Sequence, residues 1–342
     1  MCATSDLTEG LVSVVLPVRN GMPYLPLALE SILRQTYADL EVVVIDDGSD
    51  DGSAKYVRSL GDSRIRHIET SRQGIVSALN RGLLEARGEL LARQDADDLS
   101  HVDRLAQQVG HLRSNPDVDI VATCVEFIDA TGSSVETPWT RAVRDQHDVA
   151  RTPAQIRDLL ALTCCFVHGS ILARTRVMTE AHGYRPEYQW AEDYDLWLRL
   201  LPAHRFARLA ERLYIYRIHE TRVSEGRRVE QIRRAIRSKL DYVRRTKPDL
   251  PGAARAVILG EGLGAELYQE AATDFGLVLA QTPQGLESEI RLRDTQAFPG
   301  TDVGEWDILI VTDFSLMPCV REFLHRMGMT GWSSDGNFFF RT

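Results

Sequence analysis

Three apolar runs in the first hundred residues each stop at a polar cluster, and this repetition constrains the fold more than any other feature. Leu11-Val12-Ser13-Val14-Val15-Leu16 gives way to Pro17-Val18-Arg19-Asn20. Glu41-Val42-Val43-Val44-Ile45 gives way to Asp46-Asp47-Gly48-Ser49. Leu90-Leu91-Ala92-Arg93-Gln94 gives way to Asp95-Ala96-Asp97-Asp98. Continuous β-branched runs are the mark of strands in a parallel sheet. A helical stretch through Leu29, Ile32 and Leu33 follows Pro23 and Pro26, and another follows the second run. Strand, helix, strand at this spacing means βαβ units. Ligands of open parallel sheets sit at the carboxyl ends of the strands, where all three polar clusters fall.

The third cluster places three carboxylates within four positions. Like charges that close repel and are costly to desolvate. A hard divalent cation such as Mg²⁺ or Mn²⁺ relieves both penalties. The competing reading is a helix start, with Asp97 or Asp98 capping a helix that begins near His101. That accounts for one or two of the carboxylates and leaves the third.

In this order the residues resemble the inverting nucleotide-sugar glycosyltransferases of the GT-A fold, family 2. The family pattern runs strand, Pro-x-x-Asn, helix, strand, Asp-Asp-Gly-Ser, helix, strand, Asp-x-Asp. Gly74 and Ala78-Leu79-Asn80-Arg81-Gly82 fit its Gly and Asn-x-Gly helix. Trp190-Ala191-Glu192-Asp193-Tyr194 fits its Glu-Asp motif, and Tyr216-Arg217-Ile218-His219 its Tyr-Arg-x-His motif. Any one motif is weak, but five in order are specific. The resemblance covers residues 11–225 and implies an α/β fold, a Rossmann-like, mostly parallel sheet flanked by helices. It implies a donor site of Pro17, Arg19, Asn20, Asp46, Asp47, Gly74, Asp95 and Arg217, with Arg19 standing where an aromatic is frequent. It implies a divalent metal, Mn²⁺ or Mg²⁺, at Asp97 and His219. Asp193 becomes the base that deprotonates the acceptor, with Glu192 in support. His168 and Trp190 fall on the acceptor side, although a lone His beside a Gly in an apolar run also reads as structural.

Composition sets bounds. The 342 residues carry a net charge of −9, which speaks against a nucleic-acid partner. No stretch reaches the apolar length of a bilayer span, and no basic-then-apolar leader opens the chain. The five cysteines lack zinc spacing or a disulfide framework. These features point to a cytoplasmic protein, with Cys164-Cys165 as buried packing.

Val118 to Thr123 reads as a strand, residues 131–152 as a polar loop or short hairpin, and residues 163–172 as a strand carrying His168. Residues 226–250 read as a basic amphipathic helix and linker, with Ile232, Ile236, Leu240 and Val243 at helical spacing. Its basic face is either solvated or drawn peripherally to anionic membrane. Residues 251–342 read as a small βαβ unit with strands at 256–259, 276–279 and 307–313. Gly260-x-Gly262-x-Gly264 has unusual spacing, and Ala280-Gln281-Thr282-Pro283 lacks the ribose-binding acid of a dinucleotide fold.

The expected activity is transfer of a sugar, with inversion, from a nucleoside diphosphate sugar, UDP-linked, to a hydroxyl of a glycan or lipid-linked acceptor. One alternative is a nucleotidyltransferase, whose Gly-rich, Lys/Arg-bearing loop is replaced here by Pro17 to Asn20. The other is a non-catalytic nucleotide-binding scaffold.

Overall fold

The computed structural model describes residues 7–220, 222, 226–259, 263–279, 308–312, 332–335 and 338–341. Contacts divide the chain into a first unit, residues 1–157 with 164–226, and a second, residues 158–163 with 227–342.

The first unit opens with β1 (Thr8–Val18), α1 (Leu25–Leu33), β2 (Leu40–Asp47), α2 (Ser53–Ser59), β3 (Ile65–Thr70), α3 (Ile75–Glu85) and β4 (Gly88–Arg93). This is the alternation the apolar runs dictate, and β2 is buried along its whole length. There follow β5 (Leu99–Ser100), α4 (Arg104–Ser114), β6 (Ile120–Ile128), α5 (Pro138–Val149), α6 (Pro153–Leu162, whose last residues from 158 are grouped with the second unit), β7 (Leu172–Arg174), α7 (Thr175–Glu180), α8 (Glu192–Leu200) and β8 (Phe206–Arg217). The sheet order is β3-β2-β1-β4-β7-β6-β8-β5. Strands β3, β2, β1 and β4 are parallel, as expected, and β7 joins antiparallel. Helices cover both faces. Val14, Leu16 and Val44 pack with Leu29, Ile32 and Leu105 on one side, and Val43 and Ile45 with Ala78 of α3 on the other.

Three local readings are corrected. Residues 131–152 contain α5, begun by a capping box between Thr137 and Thr140 and a first-turn proline. A short hairpin precedes it, where Ile128 bridges Ser134 and Asp129 Oδ1 accepts from Thr131 and Ser133 N–H groups. Residues 163–171 are not a strand: a 3-10 turn at His168–Ser170 precedes β7. At Gly169 a Cβ would lie 1.9 Å from the Tyr214 hydroxyl, so the turn packs against β8 where only glycine fits. The apolar character of Cys165 and Phe166 reflects core packing instead; Phe166 stacks on Phe206 at 5.8 Å. Finally, α4 begins at Arg104, and neither Asp97 nor Asp98 caps it.

In the second unit α9 (Arg228–Thr246) packs Ile236, Leu240 and Val243 into a core with Ala256 and Ile258 of β9 (Arg255–Leu259) and Ala265, Tyr268 and Ala272 of α10 (Leu263–Asp274). The apolar stripe of the basic helix therefore serves its own unit. On its polar side Arg233 pairs with Glu230 and Glu270, Arg234 with Glu230, and Arg237 with Asp274. Strands β10 (Val278–Leu279), β9 and β11 (Ile308–Val311) are parallel, the expected βαβ arrangement. A hairpin of β12 (Trp332–Asp335) and β13 (Phe338–Arg341), absent from the sequence reading, extends this sheet. Gly260, Gly262 and residues 280–283 lie outside the described residues. Among the described residues no helix is long and apolar enough to cross a membrane.

Candidate active site

The site is built on the carboxyl ends of β1, β2 and β4. The loops after β1 and β2 are stitched together. Asn20 N–H donates to Ser49 Oγ at 2.9 Å, and Asn20 Oδ1 accepts from Asp50 N–H at 2.9 Å. Gly21 and Met22 N–H groups donate to Ser53 Oγ and Asp51 Oδ2. Asn20 holds a left-handed backbone, φ +53°, which asparagine tolerates. Pro17 is buried and Arg19 is exposed at this edge. Asp46 is 1% exposed. Its Oδ1 accepts from Ser49 N–H at 2.8 Å, and its Oδ2 is enclosed 3.9 Å from His67 Nε2. The two oxygens of Asp47 accept from the Gln73 and Gly74 N–H groups at 2.6 and 2.9 Å. This fixes the loop into α3 at Gly74, φ +94°.

The three carboxylates after β4 have three different partners. Asp95 forms an ion pair with Arg93. Asp97 Oδ2 lies 2.8 Å from His219 Nε2, with the Asp97 side chain 33% exposed. Asp98 is buried; it accepts from the Tyr214 hydroxyl and the Arg217 N–H, both at 2.7 Å. Burial, then the charges of Asp97 and Asp95, push the Asp98 carboxyl well above its usual range. Burial also raises Asp95, against the pull of Arg93.

Arg217 lies beneath the turn that carries Asp97. Its guanidinium is buried and donates to the Asp97 and Asp129 carbonyls at 2.9 and 3.1 Å, with its carbon 4.8 Å from the Tyr24 ring centre. It shapes the turn that presents Asp97. Asp97 and His219 offer one carboxylate oxygen and one imidazole nitrogen at an exposed edge, a donor set that suits Mn²⁺. Two protein ligands are enough where diphosphate oxygens and water supply the rest. Among the described residues no group of three candidate ligands occurs.

Glu192 and Asp193 open α8. Glu192 Oε2 accepts from Trp190 N–H at 2.7 Å, across a left-handed Trp190 with φ +81°. Burial and then the Asp193 charge push Glu192 up to about 7. Asp193 Oδ1 accepts from Tyr194 N–H at 2.7 Å, and the Cys164 thiol lies 3.8 Å from Oδ2. Burial raises Asp193, opposed by the Tyr194 N–H and by Arg93. Asp195, two residues on, is structural: it is fully buried and paired with Arg185 and Arg199. His168 Nε2 lies 2.9 Å from the Tyr184 hydroxyl, and its ring packs edge-on to Trp197. Burial and Arg93 hold it well below its usual range, hence neutral. This favours the structural reading of His168.

The sequence reading passed over the platform beneath these groups. Buried Arg104 donates to the Arg93 carbonyl, Gln94 Oε1 and Ser100 Oγ at 2.8–2.9 Å, and to Gln108 Oε1 at 3.2 Å. Gln94 Nε2 in turn donates to the Asp95 and Asp98 carbonyls. A fully connected buried polar network is rigid. The signal for it was Arg104 and Gln108, polar at i and i+4 on the apolar face of α4.

The family model for Glycosyl transferase family 2 matches residues 13–176. The chain is 31% identical over 217 residues to the O-antigen biosynthesis glycosyltransferase WbnJ of Escherichia coli, covering 61% of this chain and 80% of WbnJ. It spans 32–59% of the length of four further relatives. A crystal structure of S. aureus TarS 1-349 in complex with UDP-GlcNAc shares its fold: TM-score 0.56, 15% identity, 97% of this chain and 99% of that one. So does the mannosyltransferase PcManGT of Pyrobaculum calidifontis, in complex with GDP-Man and Mn²⁺: TM-score 0.51, 22% identity, 78% and 71% covered. With its strand-end motifs in family order and most of WbnJ matched, the chain belongs to glycosyl transferase family 2.

Proposed function

We propose that this glycosyltransferase of polysaccharide synthesis is an inverting, metal-dependent enzyme. Its donor is a nucleoside diphosphate sugar, UDP-linked, and its acceptor a hydroxyl of a glycan or lipid-linked glycan. The observation that carries the reading is the Asp97–His219 contact at 2.8 Å, which joins two motifs 122 residues apart in the chain. TarS bound to UDP-GlcNAc and PcManGT bound to GDP-Man and Mn²⁺ support a donor of this kind.

In this mechanism Asp97 and His219 would hold a divalent cation, which when bound would neutralise charge on the leaving diphosphate. The stitched loops after β1 and β2 receive the nucleoside along Pro17 and Arg19. Asp95, anchored by Arg93, faces the ribose. Asp193 accepts the proton of the acceptor hydroxyl as its oxygen attacks the anomeric carbon from the face opposite the diphosphate. One displacement inverts the configuration. Glu192, tied to Trp190 N–H, positions the helix start, and Trp190 lines the acceptor approach. The protein acts on the cytoplasmic side. Contact with anionic membrane would involve charge alone, because the apolar face of α9 is packed inside its unit.

The test is donor hydrolysis across UDP-, GDP-, dTDP- and CMP-sugars with and without Mn²⁺, alongside calorimetric titration with UDP and NAD. Metal-stimulated release of UDP and metal-dependent UDP binding are expected. Binding of NAD but not UDP, or nucleotide binding indifferent to Mn²⁺, refutes the reading.

A further inference from the structure

Tyr24 stands immediately before α1 and is half-buried. Its N–H donates to the Gly21 carbonyl at 2.9 Å, and Leu25 N–H donates to the same oxygen at 2.8 Å. Gly21 is itself tied to Ser53 Oγ, so Tyr24 is carried by the stitched loops after β1 and β2. Leu25 and Leu29, which follow it, enter the core. The Tyr24 ring goes elsewhere. Its centre lies 4.9 Å from that of the His219 ring, with the planes 41° apart. It also lies 4.8 Å from the Arg217 guanidinium carbon.

Both contacts lead to one acid. His219 Nε2 lies 2.8 Å from Asp97 Oδ2. Arg217 Nε donates to the Asp97 carbonyl at 2.9 Å, and Arg217 N–H donates to Asp98 Oδ1 at 2.7 Å. The Tyr24 ring therefore touches both the residue that fixes the Asp97 backbone and the residue that meets the Asp97 side chain. Its chemistry suits each. The negative face of an aromatic ring attracts a guanidinium. A second ring tilted against it at this separation is an ordinary aromatic pair, and the plane of the imidazole fixes the direction of its Nε2 lone pair. Where a cation has few protein ligands, the groups that orient those ligands govern how well it is held.

We propose that Tyr24 is a positioning residue for the cation edge: its ring sets the plane of His219 and, through Arg217, steadies the Asp97 turn, so that the carboxylate oxygen and the imidazole nitrogen converge. The proposal rests on the reading of Asp97 and His219 as the cation's ligands. It accounts for an aromatic side chain that leaves the core its neighbours enter and meets a segment from the far end of the first unit. It also joins the cation edge to the loop assigned to the nucleoside, because Tyr24 belongs to that loop.

The experiment is calorimetric titration of UDP with and without Mn²⁺, and its readout is the factor by which Mn²⁺ raises UDP affinity. The proteins are wild type, Tyr24→Leu, Tyr24→Phe, His219→Gln and the Tyr24→Leu/His219→Gln double variant. Loss of a group that orients a metal ligand weakens metal affinity about 10–100-fold. Tyr24→Leu is therefore expected to lower the Mn²⁺ factor by about tenfold while UDP affinity without metal stays at the wild-type value. Tyr24→Phe keeps the ring and the factor. With His219→Gln already present, Tyr24→Leu is expected to cost much less than it does in wild type, because the histidine it orients is gone. Should Tyr24→Leu not fold, Tyr24→Met removes the ring at similar length and carries the same expectations. A wild-type Mn²⁺ factor in Tyr24→Leu overturns the proposal, as does the same loss in both backgrounds, an equal loss in Tyr24→Phe, or a loss confined to UDP binding without metal. Wild type that binds UDP with no gain from Mn²⁺ refutes instead the ligand reading beneath it, and the proposal falls with that reading.

Discussion

Gly169→Ala tests how the fold holds the carboxylate turn. The new Cβ would lie 1.9 Å from the Tyr214 hydroxyl oxygen and 2.2 Å from its Cζ. Ordinary contact begins near 3.4 Å, so the ring end must retreat by 3.4 − 1.9, about 1.5 Å. That stretches the 2.7 Å bond from the hydroxyl to Asp98 past any useful length, and with it the 3.2 Å bond from Asp95 N–H to the hydroxyl. Overpacking costs about 1–3 kcal/mol, and a lost hydrogen bond to a carboxylate about 1.5–3 kcal/mol. The expected destabilisation is about 3–5 kcal/mol, a drop in melting temperature of about 10 °C for a domain of this size. Because Asp98 and Asp95 frame Asp97, affinity for UDP with Mn²⁺ should fall in the protein that remains folded. Thermal melts and calorimetry on one preparation measure both. A melting temperature within about 2 °C of wild type, with unchanged UDP affinity, would show that Tyr214 is not the clasp described here.

Three further outcomes are expected. Asp97→Asn should abolish the gain in UDP affinity that Mn²⁺ provides while leaving the melt unchanged; a retained metal response in titration removes Asp97 from the site. Glu192 has its folded pKa raised to about 7 from 4.5, so its contribution to stability is full below pH 4.5 and is lost as pH rises through 7. Glu192→Gln should accordingly gain stability relative to wild type in urea melts at pH 8 compared with pH 5, and a difference independent of pH contradicts the burial argument. Replacing Arg233, Arg234 and Arg237 by Gln should weaken any salt-sensitive binding to phosphatidylserine vesicles; no wild-type binding at low salt leaves those arginines with their carboxylate pairs alone.

Legibility followed the reach of the signal. Strand ends and parallel pairing were readable because β-branched runs and the breaks after them are local patterns. Helix α5 was missed although Thr137 and Pro138 announce it, because its polar composition conceals the period of its buried Thr140 and His147. The run from Thr163 to Phe166 misled in the opposite sense: an apolar stretch serves a core equally well from a loop.

The carboxylates after β4 show where local reasoning stops. Read alone, three acids in four positions argue for a cation by summed repulsion. In the fold each acid has protein partners, although burial and the charges of Asp97 and Asp95 still push the Asp98 carboxyl up. Asp95 is answered by Arg93, two residues back. Asp98 is answered by Tyr214 and the Arg217 backbone, 116 and 119 residues away. Asp97 is then the partly exposed acid of the three, beside His219. The sequence reading chose Asp97 from motif order, and in the fold it is the one of the three acids that pairs with a histidine. Motif order carries no information on which acids find donors at long range. By the same logic Arg217 and Asp47 were read toward the donor from their motifs, and both are bound by backbone groups that no local pattern reveals. A motif marks where the chain comes together, and the partners of each side chain decide what it does there.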